Sequence, residues 1–208
     1  FDYQQKTIKI CKNVYEKFYL KKEYKGRENE ISFIRFLESQ KNIIWWHKQD
    51  NSGRYIFAIE YFDTHEKKNR LFYPDFIART KNKVYFVDPK NDITAKSQET
   101  ADKNKALQQW IKKNQSKYNF EIDGGIVIEK YPNWKINKKE NYSYGNETDW
   151  EILNLDTRWF IIADYADLCQ CNNRPNEKNL ESEATMILKM VSYYENEGKD
   201  NYWRIKDV

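Results

Sequence analysis

Apolar residues recur along this chain at two spacings. Where they fall three or four positions apart the pattern predicts helices, and where they alternate or run together over a few positions it predicts strands. Helical spacing marks Thr7–Leu20 (Ile8, Cys11, Val14, Tyr15, Phe18), Glu28–Ser39 (Ile31, Phe33, Ile34, Leu37), Thr94–Asn114 (Ala95, Ala101, Leu107, Trp110, Ile111) and Glu177–Glu197 (Leu180, Ala184, Ile187, Leu188, Val191, Tyr194). Strands are predicted at Ile43–Trp46, Tyr55–Phe62, Leu71–Arg79, Val84–Asp88, Ile126–Glu129, Trp150–Leu155 and Arg158–Ala163. Asn51-Ser52-Gly53, Thr64–Asn69, Thr80–Lys83 and Asp123-Gly124-Gly125 read as turns, and Tyr131–Glu147 and Asp164–Pro175 as irregular segments. A helix thus feeds a meander of about four strands, and a crossover helix then returns the chain to a strand that pairs in parallel. The fold class is α/β. No repeat or flexible linker interrupts the order, so residues 1–208 read as one domain.

Two polar intrusions into these patterns carry chemistry. In Glu28–Ser39, Glu30 falls near the middle of the apolar arc, where a carboxylate needs a partner, a metal or the helix dipole of the first turn. In Leu71–Asn91, read as a hairpin, alternation puts Asp88 and Lys90 on the Val84–Phe86 face, and Asp75 on the Tyr73–Ile77 face. If those faces coincide, two carboxylates and an amine converge. Magnesium takes hard oxygen ligands and keeps several waters, and a metal between carboxylates orients a water and lowers its pKa. A nearby lysine holds that water or offsets charge on a phosphate. An ordinary same-face ion pair on a solvated sheet also explains Asp88 and Lys90.

Composition narrows the class. Aromatic residues make up 16% of the 208, which argues against disorder, and 33% are charged. A net charge of +4 permits nucleic acid without singling it out. No apolar run reaches the length of a membrane span, and no signal peptide is present at the start. Cys11, Cys169 and Cys171 form no disulfide framework, which points to a reducing, cytoplasmic setting, and Cys169-x-Cys171 lacks the further ligands of a zinc site. His47 and His65 read as a strand-end and a turn residue. The first residue is Phe1, as expected of a piece of a longer protein.

The combination of a Glu-bearing helix, a P-D strand and a D-x-K strand resembles the PD-(D/E)xK nucleases. Glu30-Ile31-Ser32-Phe33 with Leu37-Glu38 resembles the E-x-x-F-x-x-x-L-E helix of the restriction (Res) subunits of type III restriction enzymes. Phe72-Tyr73-Pro74-Asp75-Phe76 resembles their P-D strand, and Val84-Tyr85-Phe86-Val87-Asp88-Pro89-Lys90 their Y-F-V-(E/D)-x-K strand. Pro89 and Asn91 depart from the residues common there. The motif core covers about 27–130, with 131–208 as a C-terminal extension.

The resemblance implies a restriction-endonuclease-like mixed central sheet flanked by helices, and Mg²⁺-dependent cleavage of double-stranded DNA, with Mn²⁺ as a substitute. Asp75 and Asp88 would ligate the metal, Glu30 would help to orient it, and Lys90 would activate the attacking water. It further implies a helicase domain in the same chain, a methyltransferase subunit as partner and a bacterial cytoplasmic location. Lys96, Lys103 and Lys105, just after the site, are the nearest DNA-binding candidates, and Glu99 can also reach it. Trp134, among Lys135, Lys138 and Lys139, either stacks on a base or anchors its loop. A catalytically silent nucleic-acid-binding or assembly module on the same fold is the alternative.

Overall fold

The structure is a computed structural model and describes residues 10–14, 28–49 and 56–155. The turn at 51–53, the strand at 158–163 and the helix at 177–197 lie outside them. The described elements run α1 (Glu28–Ser39), β1 (Trp45–Lys48), β2 (Ile59–Asp63), β3 (Lys68–Phe72), β4 (Phe76–Arg79), β5 (Lys83–Lys90), α2 (Asp92–Ala95), α3 (Gln98–Asn114), β6 (Glu121–Lys130), β7 (Asn133–Asn137) and β8 (Trp150–Ile152).

Six strands form one mixed sheet in the order β1-β4-β5-β6-β7-β8. β5 and β6 are parallel, joined by the α2–α3 crossover, and every other pair in that sheet is antiparallel. Alternation sorts β5 between two cores. Tyr85 and Val87 join Phe33, Ile34 and Leu37 of α1 and Trp134 of β7 on one face. Val84 and Phe86 join Leu107 and Trp110 of α3 on the other, together with Phe57, Ile59, Tyr61 and Phe72. The rings of Phe57, Phe86 and Trp110 meet at centroid separations of 4.6 to 5.4 Å, tilted or edge to face as aromatic quadrupoles prefer. Burying each such ring contributes about 2–3 kcal/mol.

Several expected elements take another form. The meander is interrupted, because β2 and β3 pair with each other as a separate two-stranded sheet and β1 pairs with β4. Leu71–Arg79 is two strands. The chain leaves β3 at Phe72, turns through Tyr73-Pro74-Asp75 and enters the main sheet at Phe76. Pro74 has no N–H to continue a ladder. The Thr94–Asn114 helix starts afresh at Ser97, whose side chain caps α3 by accepting from the Thr100 N–H.

Gly124 and Gly125 lie inside β6, not in a turn. A Cβ on Gly124 would stand 2.2 Å from the Phe86 carbonyl oxygen, and one on Gly125 2.3 Å from that of Asn137. Tyr131–Glu147 is not wholly irregular, since it supplies β7, and Trp134 is a buried core residue, which removes base stacking as its role.

Residues 10–14 are not helical. Asn13 bridges Trp46 in parallel, and the Val14 N–H donates to the Trp46 carbonyl at 3.0 Å. The Glu38 carboxylate pins this strap, accepting from the N–H groups of Cys11 (2.9 Å) and Lys12 (3.1 Å) and from Trp46 Nε1 (2.7 Å). Cys11 is disulfide-bonded, which overturns the expectation of a chain without disulfides and removes the cysteine argument for a reducing compartment. Among the described residues no helix is long and apolar enough to cross a membrane.

Candidate functional site

The site forms where the β4–β5 ladder stops. β4 begins at Phe76, opposite Val87, whereas β5 continues through Asp88, Pro89 and Lys90, paired there with β6 as far as Ile128. Neither Pro74 nor Pro89 has an N–H to extend the ladder. Gln49 secures the corner in its place. Its N–H donates to the Asp75 carbonyl at 2.9 Å and its side-chain amide to the Pro74 carbonyl at 2.6 Å, while its Oε1 accepts from the Phe57 N–H at 2.7 Å. Nothing in the hydrophobic pattern marks Gln49, because its partners are main-chain groups distant in sequence.

Asp88 and Lys90 share the Val84–Phe86 face, toward the α3 layer. The Asp75 carboxyl group lies close enough to that of Asp88 for each to feel the other's charge. Lys90 Nζ lies 2.7 Å from Asp88 Oδ2. Asp88 is 1% exposed. Burial pushes its carboxyl up to about 7; the Lys90 ammonium opposes this and the Asp75 carboxylate reinforces it. Burial works against the charge of Lys90 too, but Asp88 and Asp75 outweigh it and hold the ammonium above its ordinary range. Asp75, from the turn before β4, is thus brought beside Asp88 and Lys90 of β5.

Lys90 is close to Asp88 Oδ2 in distance, yet no hydrogen-bond donor is aligned on that buried oxygen. Two carboxyl groups in contact, one with such an oxygen, fit a hard divalent cation that takes oxygen ligands and keeps its remaining waters. The charge of the cation would relieve the repulsion between the two carboxylates.

Glu30 is elsewhere. It points from α1 to the opposite face of the sheet, where Lys48 Nζ lies 2.9 Å from its Oε2 and 5.3 Å over the Phe76 ring. Among the described residues no three His, Cys, Asp or Glu side chains gather at a metal-binding spacing. The expectation that Glu30 joins Asp75 and Asp88 in holding the metal is therefore not met. The carboxylate on the apolar stripe is answered by a lysine that β1 delivers, a pairing invisible within the helix itself.

The three lysines separate as well. Lys103, on α3, is half-buried, with Nζ 2.7 Å from Glu99 Oε1 and 5.8 Å over the rings of both Tyr61 and Phe72. Glu99 accepts from the Tyr61 hydroxyl at 3.3 Å, and its charge is felt at Lys90. Lys105 is exposed, about 200° further round the helix, and Lys96 lies 5.1 Å over the Tyr144 ring. Of the three, Lys103 is the one whose partner, Glu99, is felt at Lys90. Asn91, one of the two departures from the nuclease pattern, caps α2. Its Oδ1 accepts from the Ile93 (3.0 Å) and Thr94 (2.8 Å) N–H groups, so the chain turns away directly after Lys90.

His47 is buried on β1, and burial, helped by Lys48, lowers its imidazole to about 4, so it is neutral at pH 7. His65 sits in the β2–β3 turn, its N–H donating to Asp63 at 3.0 Å. No family model, curated protein or solved structure matches this chain.

Proposed function

We propose that this domain is a metal-dependent endodeoxyribonuclease of the PD-(D/E)xK kind. It hydrolyses phosphodiester bonds of double-stranded DNA, as part of a helicase–nuclease chain in a type III-like restriction system with a methyltransferase partner. The observation that carries this reading is the gathering of Asp75, Asp88 and Lys90 where the β4–β5 ladder stops. A bound Mg²⁺, or Mn²⁺ in its place, would be held by Asp75 and Asp88 and would supply Lewis acidity and a water of lowered pKa. Lys90, kept cationic by both carboxylates, orients the attacking water and offsets the charge that gathers on the phosphate as the water oxygen adds and the P–O bond to the leaving sugar breaks. Gln49 holds the Pro74-Asp75 corner, so the Asp75 carboxylate is placed before substrate arrives.

A catalytically silent DNA-binding or assembly module is the second reading. The specific observation in its favour is that among the described residues two acids gather at the site, not the three that the resemblance implies. The test is incubation of the purified chain with supercoiled plasmid, with and without Mg²⁺ or Mn²⁺, beside Lys90→Ala. Metal-dependent nicking that the variant lacks is the expected result. Nicking that survives Lys90→Ala would contradict the assignment.

A further inference from the structure

Outside the Asp75–Asp88–Lys90 cluster, Lys103 is built into place and not left on a solvated stem. Lys103 carries the 2.7 Å contact with Glu99, four residues earlier on α3, and its ammonium stands over two aromatic faces from different strands, Tyr61 of β2 and Phe72 of β3. Glu99 is itself fixed by the Tyr61 hydroxyl. The lysine side chain keeps 21% of its exposure, so it is packed but not sealed from solvent. Phe72 lies three residues before Asp75, and the charge of Glu99 reaches Lys90, so the assembly borders the site. An ammonium has three donors. Glu99 takes one and leaves two.

Resting on the nuclease reading above, we propose that Lys103 is a phosphate-gripping residue. Held by Glu99 and backed by Tyr61 and Phe72, it binds a backbone phosphate that flanks the one at Asp75, Asp88 and Lys90. Glu99 is then a positioning residue, acting through Lys103 and not on the reacting atoms. The restricted geometry matters because a lysine already ordered loses little rotamer freedom when a phosphate arrives. A free surface lysine such as Lys113 lacks that advantage.

Binding separates this proposal from the chemistry. The full chain is titrated with a short fluorescein-labelled DNA duplex in EDTA, over a range of salt, and anisotropy is read. Lys103→Ala should weaken binding roughly three- to tenfold and reduce the slope of log K against log salt by about 0.9, the release of one phosphate contact. Lys103→Arg should restore both, Glu99→Gln should weaken binding less, and Lys113→Ala should match the wild type. Circular dichroism of each variant checks that it is folded. Wild-type affinity and slope in folded Lys103→Ala would overturn the proposal, as would failure of the wild-type chain to bind the duplex. A chain that binds through Lys103 yet never nicks plasmid would leave this proposal standing and sink the nuclease reading.

Discussion

The carboxyl group of Asp88, near the end of β5, is buried beside that of Asp75, at the entrance to β4, and the charge of Asp75 raises it further. Two acids placed so cannot both ionise cheaply. A carboxyl raised by burial stabilises the fold below its unfolded pKa, near 4, and that contribution is lost as pH rises through its folded value of about 7. The metal-free chain should therefore lose stability, on the order of a few kcal/mol, between about pH 4 and pH 8. Asp88→Asn should flatten that loss, measured by urea unfolding at a series of pH values in EDTA. A wild-type profile as flat as that of the variant would contradict the raised carboxyl.

Glu30 pairs with Lys48 on the far face of the sheet, so its role is in the fold. Glu30→Gln should lower stability by about 1–3 kcal/mol, because Lys48 stays mostly buried without its counter-charge. Plasmid nicking at a temperature where the variant is folded should remain within about threefold of wild type, since the Glu30 carboxylate is engaged by Lys48. Abolished nicking in folded Glu30→Gln would return Glu30 to the site.

Glu38 satisfies three donors at once, two on the 10–14 strap and one on Trp46. Glu38→Ala should cost about 1–3 kcal/mol in chemical denaturation, because the part-buried N–H groups lose their acceptor together. A change below about 0.5 kcal/mol would mean that the strap is held by other contacts.

What the sequence makes legible follows from what is local. α1 begins and ends where its apolar arc predicts, and alternation alone puts Val84, Phe86, Asp88 and Lys90 on one face of β5. The parallel β5–β6 pairing follows from the crossover helix. The departures are decisions made by distant partners. Whether Glu30 meets Asp75 or Lys48 depends on which strand lies under α1. The β2–β3 hairpin leaves the main sheet because Tyr61 and Phe72 pack toward α3. Gly124 and Gly125 look like a turn in isolation, and only the carbonyls of β5 and β7 on either side explain them as the centre of a strand.

The central claim is a divalent cation held by Asp75 and Asp88. Calorimetric titration of the purified chain with Mn²⁺ at neutral pH, beside Asp75→Asn and Asp88→Asn, tests it most directly, because the readout needs neither DNA nor a motor. One saturable site in the wild type, lost in both folded variants, is the predicted result. A wild-type chain that takes up no Mn²⁺, or variants that take it up equally well, would contradict it.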